Sequence, residues 1–164
     1  MRYWLMKSEP DEFSIDDLAR AARQTAPWFG VRNYQSRNFM RDEMHPGDRV
    51  FFYHSSCAEP GIAGIAEVAS QAYPDATQFD RRSPYFDPKA TREAPRWFNV
   101  DVKLVRRTRV IGLAELRRHA GLAAMRVLAR GNRLSITPVE REEWAFITRT
   151  LLRPDSPAGA ARKA

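Results

Sequence analysis

The twelve residues WFGVRNYQSRNF, positions 28–39, combine aromatic rings with arginine, asparagine and glutamine side chains. A helix over residues 33–43 would place three of these residues and the arginine just beyond them on one face, at the spacing i, i+3, i+4 and i+7. These four are Tyr34, Arg37, Asn38 and Arg41. A ring can stack on a base, a guanidinium group can bind phosphate, and an amide can hydrogen-bond a base edge. The alternative is a helix that packs its opposite, apolar face on the core and leaves this polar face in water.

A second group of polar residues lies in the segment KSEP, which contains Lys7, Ser8 and Glu9. It follows the first predicted strand, YWLM at residues 3–6, and strand ends at the mouth of a barrel collect ligand-binding groups. The alternative is a turn held by a salt bridge. The residues alone do not decide between the two.

A nucleophilic site is also conceivable. His54 and Ser55 are adjacent, with Cys57 nearby, but no third group that would orient a catalytic base is evident in the sequence. Acidic residues occur in the long segment from residue 73 to 95, yet loop carboxylates are more commonly solvated than catalytic. An enzyme therefore ranks below a binding protein.

The composition predicts a single basic domain, whose charge fits either a polyanion-binding surface or arginines that merely solvate the surface. The chain has 164 residues and a formal net charge of +7, and such a surface attracts polyanions through counterion release. Cys57 is the only cysteine and the three histidines are scattered, so we expect no disulfide and no metal site. No apolar run approaches the roughly 18 residues of a membrane span, and the first residues lack a secretory signal. These features predict a cytoplasmic protein.

Hydrophobic periodicity predicts an α+β fold. We expect a helix over about residues 15–22, capped by Ser14 with Asp17 in a capping box. Residues 49–55 read as a strand with aromatic residues on both faces, so that both faces should be covered. Residues 97–107 alternate as a strand with Trp97 on the polar side. A final helix should begin with Thr137 as its cap and Pro138 in the first turn.

These elements predict a small, curved, mostly antiparallel barrel of short strands with interspersed helices. The segment from residue 73 to 95 has four prolines and no period, and its aromatic residues predict an ordered loop packed on the body. The last residues, 153–164, are predicted to be a flexible basic tail.

Seven motifs occur in an order that matches one known family. They are YWLMKSEP, GVRNYQSRNF, GDRVFFYHSSCAEPGIAGIAEV, YPDATQFD, SPYFDPK, RWFNVDVKLV and RLSITPV. On these motifs the chain resembles the EVE domain of the PUA superfamily over residues 3–152. One such motif would be weak evidence, whereas seven in register make coincidence very improbable. The domain is accordingly expected to span residues 1–152.

The resemblance implies a PUA-like pseudo-barrel with flanking short helices and a C-terminal helix, and a pocket that accepts a flipped, modified base. The expected ligand is a 5-modified cytosine, such as 5-methylcytosine, in DNA. The family is regarded as a reader and not as an enzyme when it stands alone. Carried over to this chain, the pocket residues are Lys7, Ser8, Glu9, Trp28, Val31, Arg32, Asn33, Tyr53, His54 and Trp97.

The chemistry of these residues suggests how they would divide the work. Trp28 and Trp97 are the expected stacking faces, because a flipped base must regain the stacking it has lost. Asn33, Ser8 and Glu9 would read the base edge. Three arginines would hold flanking phosphates without reading sequence. They are Arg32, Arg37 and Arg41.

Two positions depart from the pattern of the family, which often has alanine at Ser36 and a small or acidic residue at Phe29. Phe29 is therefore expected to alter the pocket rim. The sequence leaves modified RNA as the alternative ligand, and a small hydrolase or base-modifying enzyme using His54 as the third hypothesis. We expect a monomer without cofactor or metal, and the sequence says nothing about effector proteins.

Overall fold

The computed structural model describes residues 1–152, so the predicted tail at residues 153–164 lies outside the described part of the chain. The strands are β1 (Tyr3–Ser8), β2 (Thr25–Pro27), β3 (Arg49–His54), β4 (Gly61–Val68), β5 (Tyr73–Pro74), β6 (Phe98–Asn99), β7 (Asp101–Gly112) and β8 (Ile136–Val139). The helices are α1 (Ile15–Arg20), α2 (Tyr34–Asn38), α3 (Leu113–Arg117) and α4 (Arg141–Phe146). Single π-helical turns extend α2 over Phe39–Glu43 and α4 over Ile147–Leu151. Short 3-10 turns lie at Ala22–Gln24, Ala76–Phe79, Ala120–Leu122 and Arg126–Leu128.

Six strands form one sheet in the order β2-β7-β4-β3-β1-β8, and β5 pairs with β6 in a small second sheet. Only the pair of β1 with β3 is parallel within the described residues, and the other pairs are antiparallel. Irregular registers occur between β3 and β4 and between β4 and β7. Such bulges bend strands and increase their twist. The predicted α+β class with a curved, mostly antiparallel sheet is confirmed, and the sheet is open, with β2 and β8 at its edges.

Both faces of the central sheet are buried. Val50 and Phe52 of β3 point into one apolar cluster, which α1 and α2 cover. Phe51 and Tyr53 point into a second cluster, which α3, the turns after it and α4 cover. The prediction that β3 is enclosed on both sides is therefore confirmed.

The starts of the first two helices follow local side-chain chemistry. Ser14 Oγ accepts a hydrogen bond from Asp17 N, and the Asp17 carboxylate accepts one from Ser14 N, which is the predicted capping box. Asn33 caps α2 by accepting from Ser36 N at 3.0 Å. The opposite face of this helix is buried, as predicted, through Phe39, Met40 and Met44.

The predicted start of the final helix is wrong. Thr137 and Pro138 belong to β8, where Pro138 lies opposite Trp4, and the helix begins at Arg141 with Glu140 as its cap. β8 is an edge strand, and proline is tolerated at an edge because its missing N–H faces away from the ladder. The capping box is made by Glu140 and Glu143 instead.

The predicted strand over residues 97–107 is divided at Val100. Its first part, β6, leaves the main sheet to pair with β5, and β7 continues to Gly112. This break separates Trp97 from the strand that its alternation pattern suggested.

Ser36 in α2 has a side chain that is fully buried, and its hydroxyl has no hydrogen-bond partner among residues 1–152. Burying a hydroxyl without a partner costs free energy, and alanine is also the better helix former. We expect Ser36→Ala to raise the free energy of unfolding by about 1 kcal/mol in urea titrations followed by circular dichroism.

The same substitution at another serine should change the free energy of unfolding in the opposite direction. Ser14→Ala removes the cap of α1 and should lower the free energy of unfolding by about 1 kcal/mol. A loss of stability in Ser36→Ala would contradict the assignment of its hydroxyl as an unsatisfied group.

Candidate nucleic-acid interface

A cavity of about 380 Å³ opens where the parallel strands β1 and β3 end. Lys7 and Ser8 line it from the end of β1. Ser55 and Ser56, which directly follow β3, line it as well. The carboxyl ends of neighbouring parallel strands meet at one edge of a sheet, so the topology brings these two polar segments together. The volume lies in the range of about 300–1,000 Å³ that is usual for ligand pockets.

Aromatic side chains form one wall of this cavity. Trp28 is held by its backbone N–H, which donates to the Val100 carbonyl at 2.8 Å, and its ring meets Phe52 edge-on at 5.2 Å. Phe29 lines the mouth with 40% of its surface exposed, and it packs edge-on against Tyr85 at 5.9 Å. The wall thus consists of the fixed ring of Trp28 and, at the rim, the rings of Phe29 and Tyr85.

Gly30 allows the loop of the wall to turn beneath Tyr85. Its φ is +83°, a conformation that other residues rarely adopt. A Cβ at this position would lie only 2.8–3.0 Å from carbon atoms of the Tyr85 ring. Both the backbone conformation and the close approach of the ring therefore require glycine.

The Asp75 carboxylate fixes this loop from behind. It is 1% exposed and accepts hydrogen bonds from Gly30 N at 2.8 Å, from Arg32 Nη1 at 3.2 Å, and from the backbone and hydroxyl of Thr77. Burial alone would raise the pKa of Asp75, but these hydrogen bonds outweigh burial and hold the pKa below its usual value. Asp75 is therefore a stably charged anchor for the wall.

Arg32 is the counter-ion of Asp75 and braces the loop that carries Tyr85. Its Nε and Nη2 donate to the Tyr85 carbonyl, at 3.1 and 2.7 Å, and its other bonds go to Val31 O, Asp75 and Thr77 Oγ1. These contacts use all five N–H groups of the guanidinium. Arg32 lines the cavity, but in this arrangement it has no donor left for a phosphate.

Gln78 orders the long segment from residue 73 to 95. Its fully buried amide donates to the carbonyls of Asp75 and Trp97, and its Oε1 accepts from the N–H groups of Arg96 and Trp97. The prediction of an ordered loop packed on the body is confirmed. The sequence analysis did not single out Gln78 or Asp75, although both lie in the motif YPDATQFD.

The polar side of the cavity contains a lysine and several serines. The Ser8 hydroxyl donates to the Phe13 carbonyl at 2.6 Å, which leaves its lone pairs free to accept. Burial lowers the pKa of Lys7, and its ammonium has no carboxylate within 4 Å among residues 1–152. Ser135, whose carbonyl accepts from Lys7 N at 2.8 Å, completes this side. Lys7 is therefore a cation without a fixed partner that lines the cavity.

Acidic residues also line the cavity. Glu9 and Glu12 line the cavity from the connection between β1 and α1, and the Tyr85 hydroxyl donates to Glu12 Oε1. Burial, this hydrogen bond and the charge of Glu12 raise the pKa of Tyr85 to about 12. Tyr85 thus remains a neutral donor at ordinary pH, and it links the long loop to the segment before α1.

Six of the residues expected in the pocket line this cavity. They are Lys7, Ser8, Glu9, Trp28, Val31 and Arg32. The sequence analysis missed several other lining residues, namely Glu12, Phe13, Pro27, Gly30, Ser56, Tyr85, Arg133 and Ser135. Most of them lie in loops without periodicity, and the signal that could have found Tyr85 was its place in the motif SPYFDPK.

The remaining four do not line the cavity. His54 Nε2 accepts from Ile15 N at 3.1 Å, so it holds the start of α1, and burial lowers the pKa of its imidazole. Tyr53 is buried in the second apolar cluster. Asn33 is exposed and caps α2. Because His54 Nε2 is already an acceptor, that nitrogen is not free to act as a general base toward Ser55.

Trp97, the fourth, lies in an aromatic and cationic stack beside the cavity. It is buried, its indole N–H donates to Asp87 at 2.8 Å, and its ring stacks on Tyr34 at 4.8 Å. Arg32 and Arg37 lie 5.3 and 5.8 Å from its ring centre. In this structure Trp97 packs against residues next to the cavity wall and does not line the cavity itself.

The other two arginines expected to bind phosphate, Arg37 and Arg41, are partly engaged within the protein. Arg37 donates to Asn38 and to the Arg96 carbonyl, and it lies 4.7 Å from the Tyr34 ring centre. Arg41 pairs with Asp42 through two hydrogen bonds of 2.8 and 3.0 Å. The predicted face of α2 is thus formed, but its charges are partly compensated.

Within residues 1–152, no group of three or more His, Cys, Asp or Glu side chains is placed to hold a metal ion. No helix of this part of the chain is long and apolar enough to cross a membrane.

Comparison with known proteins gives consistent matches over most of the chain. Human thymocyte nuclear protein 1 is 45% identical over 162 residues, covering 88% of this chain and 72% of the human protein. A solved structure from Pseudomonas putida is 53% identical with a TM-score of 0.85, covering 90% of this chain and 97% of that one. The crystal structure of human THYN1 in complex with 5-methylcytosine-containing DNA is 44% identical with a TM-score of 0.86, and the match covers 91% of this chain and 96% of the human one.

The sequence profile described as the EVE domain matches residues 2–150. With this match, the identity to human thymocyte nuclear protein 1 and the agreement in fold, the chain belongs to the EVE domain family.

Proposed function

We propose that this protein is a nucleic-acid reader that takes a flipped 5-modified cytosine of DNA into the cavity at the ends of β1 and β3. The observation that carries the proposal is the cavity itself, which is lined by Trp28 together with Lys7 and the serines of the strand ends. It combines aromatic surface with polar groups that can orient a small ligand. The net charge of +7 suits a polyanionic partner.

The energetics of base flipping explain the aromatic wall. Taking a base out of a duplex costs a few kcal/mol of stacking and pairing, and a reader must return it. Stacking on an aromatic side chain contributes on the order of 1–3 kcal/mol per base. Trp28 is the proposed stacking face, because its ring lines the cavity and its backbone is anchored to Val100.

The polar side can recognise the edge of cytosine. The exocyclic amine of cytosine is a donor and needs an acceptor, which Ser8 or Glu9 can supply. The acceptor atoms of the base would face the ammonium of Lys7. The substituent at position 5 is apolar in 5-methylcytosine, and Val31 and Phe13 offer apolar surface for it.

A relative supports the choice of ligand. Human THYN1, which shares the fold at a TM-score of 0.86, has been solved in complex with DNA that contains 5-methylcytosine. We transfer this ligand to the present chain as part of the proposal. Asn33, Tyr53, His54 and Trp97 then position the elements around the base, while Arg37 and Arg41 remain proposed phosphate contacts. The proposal describes a cytoplasmic monomer that binds without catalysis or cofactor.

Titration of labelled oligonucleotides tests the proposal. We expect tighter binding to a strand with one 5-methylcytosine than to the same strand with cytosine, by about tenfold, measured by fluorescence anisotropy at fixed salt. N6-methyladenine in the same position is the control for a different modification. Equal affinity for all strands would contradict the proposal, and preferential competition by modified RNA of the same sequence would favour the RNA alternative.

Leucine substitutions at Trp28 and Trp97 distinguish a tryptophan that stacks on the base from one that only stabilises the fold. Trp28→Leu keeps apolar volume but removes the stacking face, so the Kd for the methylated strand should rise by about tenfold or more. Trp97→Leu should lower the melting temperature, because it removes the hydrogen bond to Asp87 and the stack on Tyr34.

Binding is measured below the melting temperature of each variant, where Trp97→Leu should keep a Kd within about threefold of the wild type. Normal binding by folded Trp28→Leu would exclude Trp28 as the stacking face.

A further inference from the structure

The connection from α3 to β8 carries only positive charge. Residues 116–139 contain no aspartate or glutamate. They contain five arginines, namely Arg117, Arg118, Arg126, Arg130 and Arg133. We call these residues the basic connection.

The arginines of the basic connection form no salt bridge within the described protein. All five are exposed, and none has a carboxylate within 4 Å among residues 1–152. At longer range, the charges of Arg118 and Arg126 act on Glu115 and Glu143. An exposed guanidinium group without a salt bridge can bind an external anion.

The basic connection reaches the cavity. Arg133 and Ser135 line it directly. Arg117 is close enough to Tyr53 for its charge to act on the phenol, and the Tyr53 ring centre lies 5.9 Å from Nζ of the cavity-lining Lys7. Two cations therefore line the cavity, Arg133 of the basic connection and Lys7 of β1.

Acidic residues also line the cavity. Glu9 and Glu12 do so, and both residues are exposed. The phosphates of a polyanion that presents a base to this cavity would be repelled by these two carboxylates and attracted by Arg133. The charges at the cavity therefore favour a backbone that lies over Arg133.

We infer that the phosphate backbone flanking the bound nucleotide lies over the basic connection, with Arg133 as its contact at the cavity and Arg130, three residues earlier, as the next one. The inference rests on the proposed function, and it adds a phosphate-binding surface on a different element from α2. These contacts fix the position of the strand and carry no preference for the base or its modification.

The salt dependence of binding tests this surface. Each phosphate contact contributes about 0.7 to the slope of log Kd against log salt for single strands and about 0.9 for duplexes. The double variant Arg130→Gln/Arg133→Gln should therefore lower the slope by about 1.4–1.8 and weaken binding by about tenfold near 0.15 M salt, by the same factor for methylated and unmethylated strands.

The matched control is Arg141→Gln/Arg149→Gln, which removes the same charge from exposed arginines of α4 and the turn that extends it. Arg141 lies beside Tyr3, at the opposite end of β1 from Ser8, and neither control residue lines the cavity of the proposed site. The control should change the slope by less than about 0.5, since only general screening is altered.

The outcomes separate the two claims. If wild-type protein prefers the methylated strand but the Arg130/Arg133 variant keeps the wild-type slope, the phosphate surface is wrong and the proposed function stands. An equal change in both double variants would show a general charge effect and would also overturn the inference. If wild-type protein shows no preference for modified strands, the proposed function itself fails.

Discussion

The wall of the cavity depends on one buried carboxylate. Asp75 accepts hydrogen bonds from the Gly30 backbone, from Arg32 and from Thr77, and so joins the loop that carries Trp28 to the long segment after β5. A buried charge is costly unless it is paired and hydrogen-bonded, and here every oxygen has partners. Removing the carboxylate would leave the Gly30 N–H without its acceptor and Arg32 without its counter-ion. The two loops that form the aromatic wall are therefore joined at their back by this carboxylate and by the hydrogen bonds of its partner Arg32 to the Tyr85 carbonyl and Thr77.

A second layer of contacts makes this arrangement rigid. Gln78 joins the backbone of Asp75 to that of Trp97, and Trp97 in turn binds Asp87 and stacks on Tyr34. Loops that satisfy their own backbone groups in this way can form a preorganised site, although they lack regular secondary structure. The sheet supplies the other half of the site, because the parallel pair of β1 and β3 ends there with polar residues. A flexible cavity would lose affinity to the entropy of ordering its walls.

Local patterns in the sequence predicted much of the fold. The capping box at Ser14 and Asp17, the enclosed strand β3 and the buried face of α2 depend on residues close in the chain, and all three were predicted. Pro138 was misassigned because proline is compatible both with a first helical turn and with an edge strand, and only the pairing with Trp4 decides.

The candidate site was harder to predict, because its walls come from segments distant in sequence. Asp75 and Gly30 are 45 residues apart, and Tyr85 and Arg32 are 53 residues apart. Hydrophobic periodicity reflects only neighbouring residues, so it could not predict these contacts. Trp97 follows the polar side of an alternating pattern, which suggests an exposed ring, yet Gln78 and Asp87 cover it from the long loop. The arginines of the basic connection can be read from the sequence. Their position beside the cavity cannot, because it depends on how the chain folds as it enters β8.

The four tryptophan indole N–H resonances give the most direct test of where the base binds. Trp28 lines the proposed site, whereas Trp4 donates to Asp48 and Trp144 stacks on Phe51 away from it. In ¹⁵N–¹H correlation spectra recorded with a strand containing one 5-methylcytosine, the Trp28 resonance should shift most, and by more than with the unmodified strand. Binding that leaves the Trp28 resonance unmoved, or shifts Trp144 instead, would contradict the account.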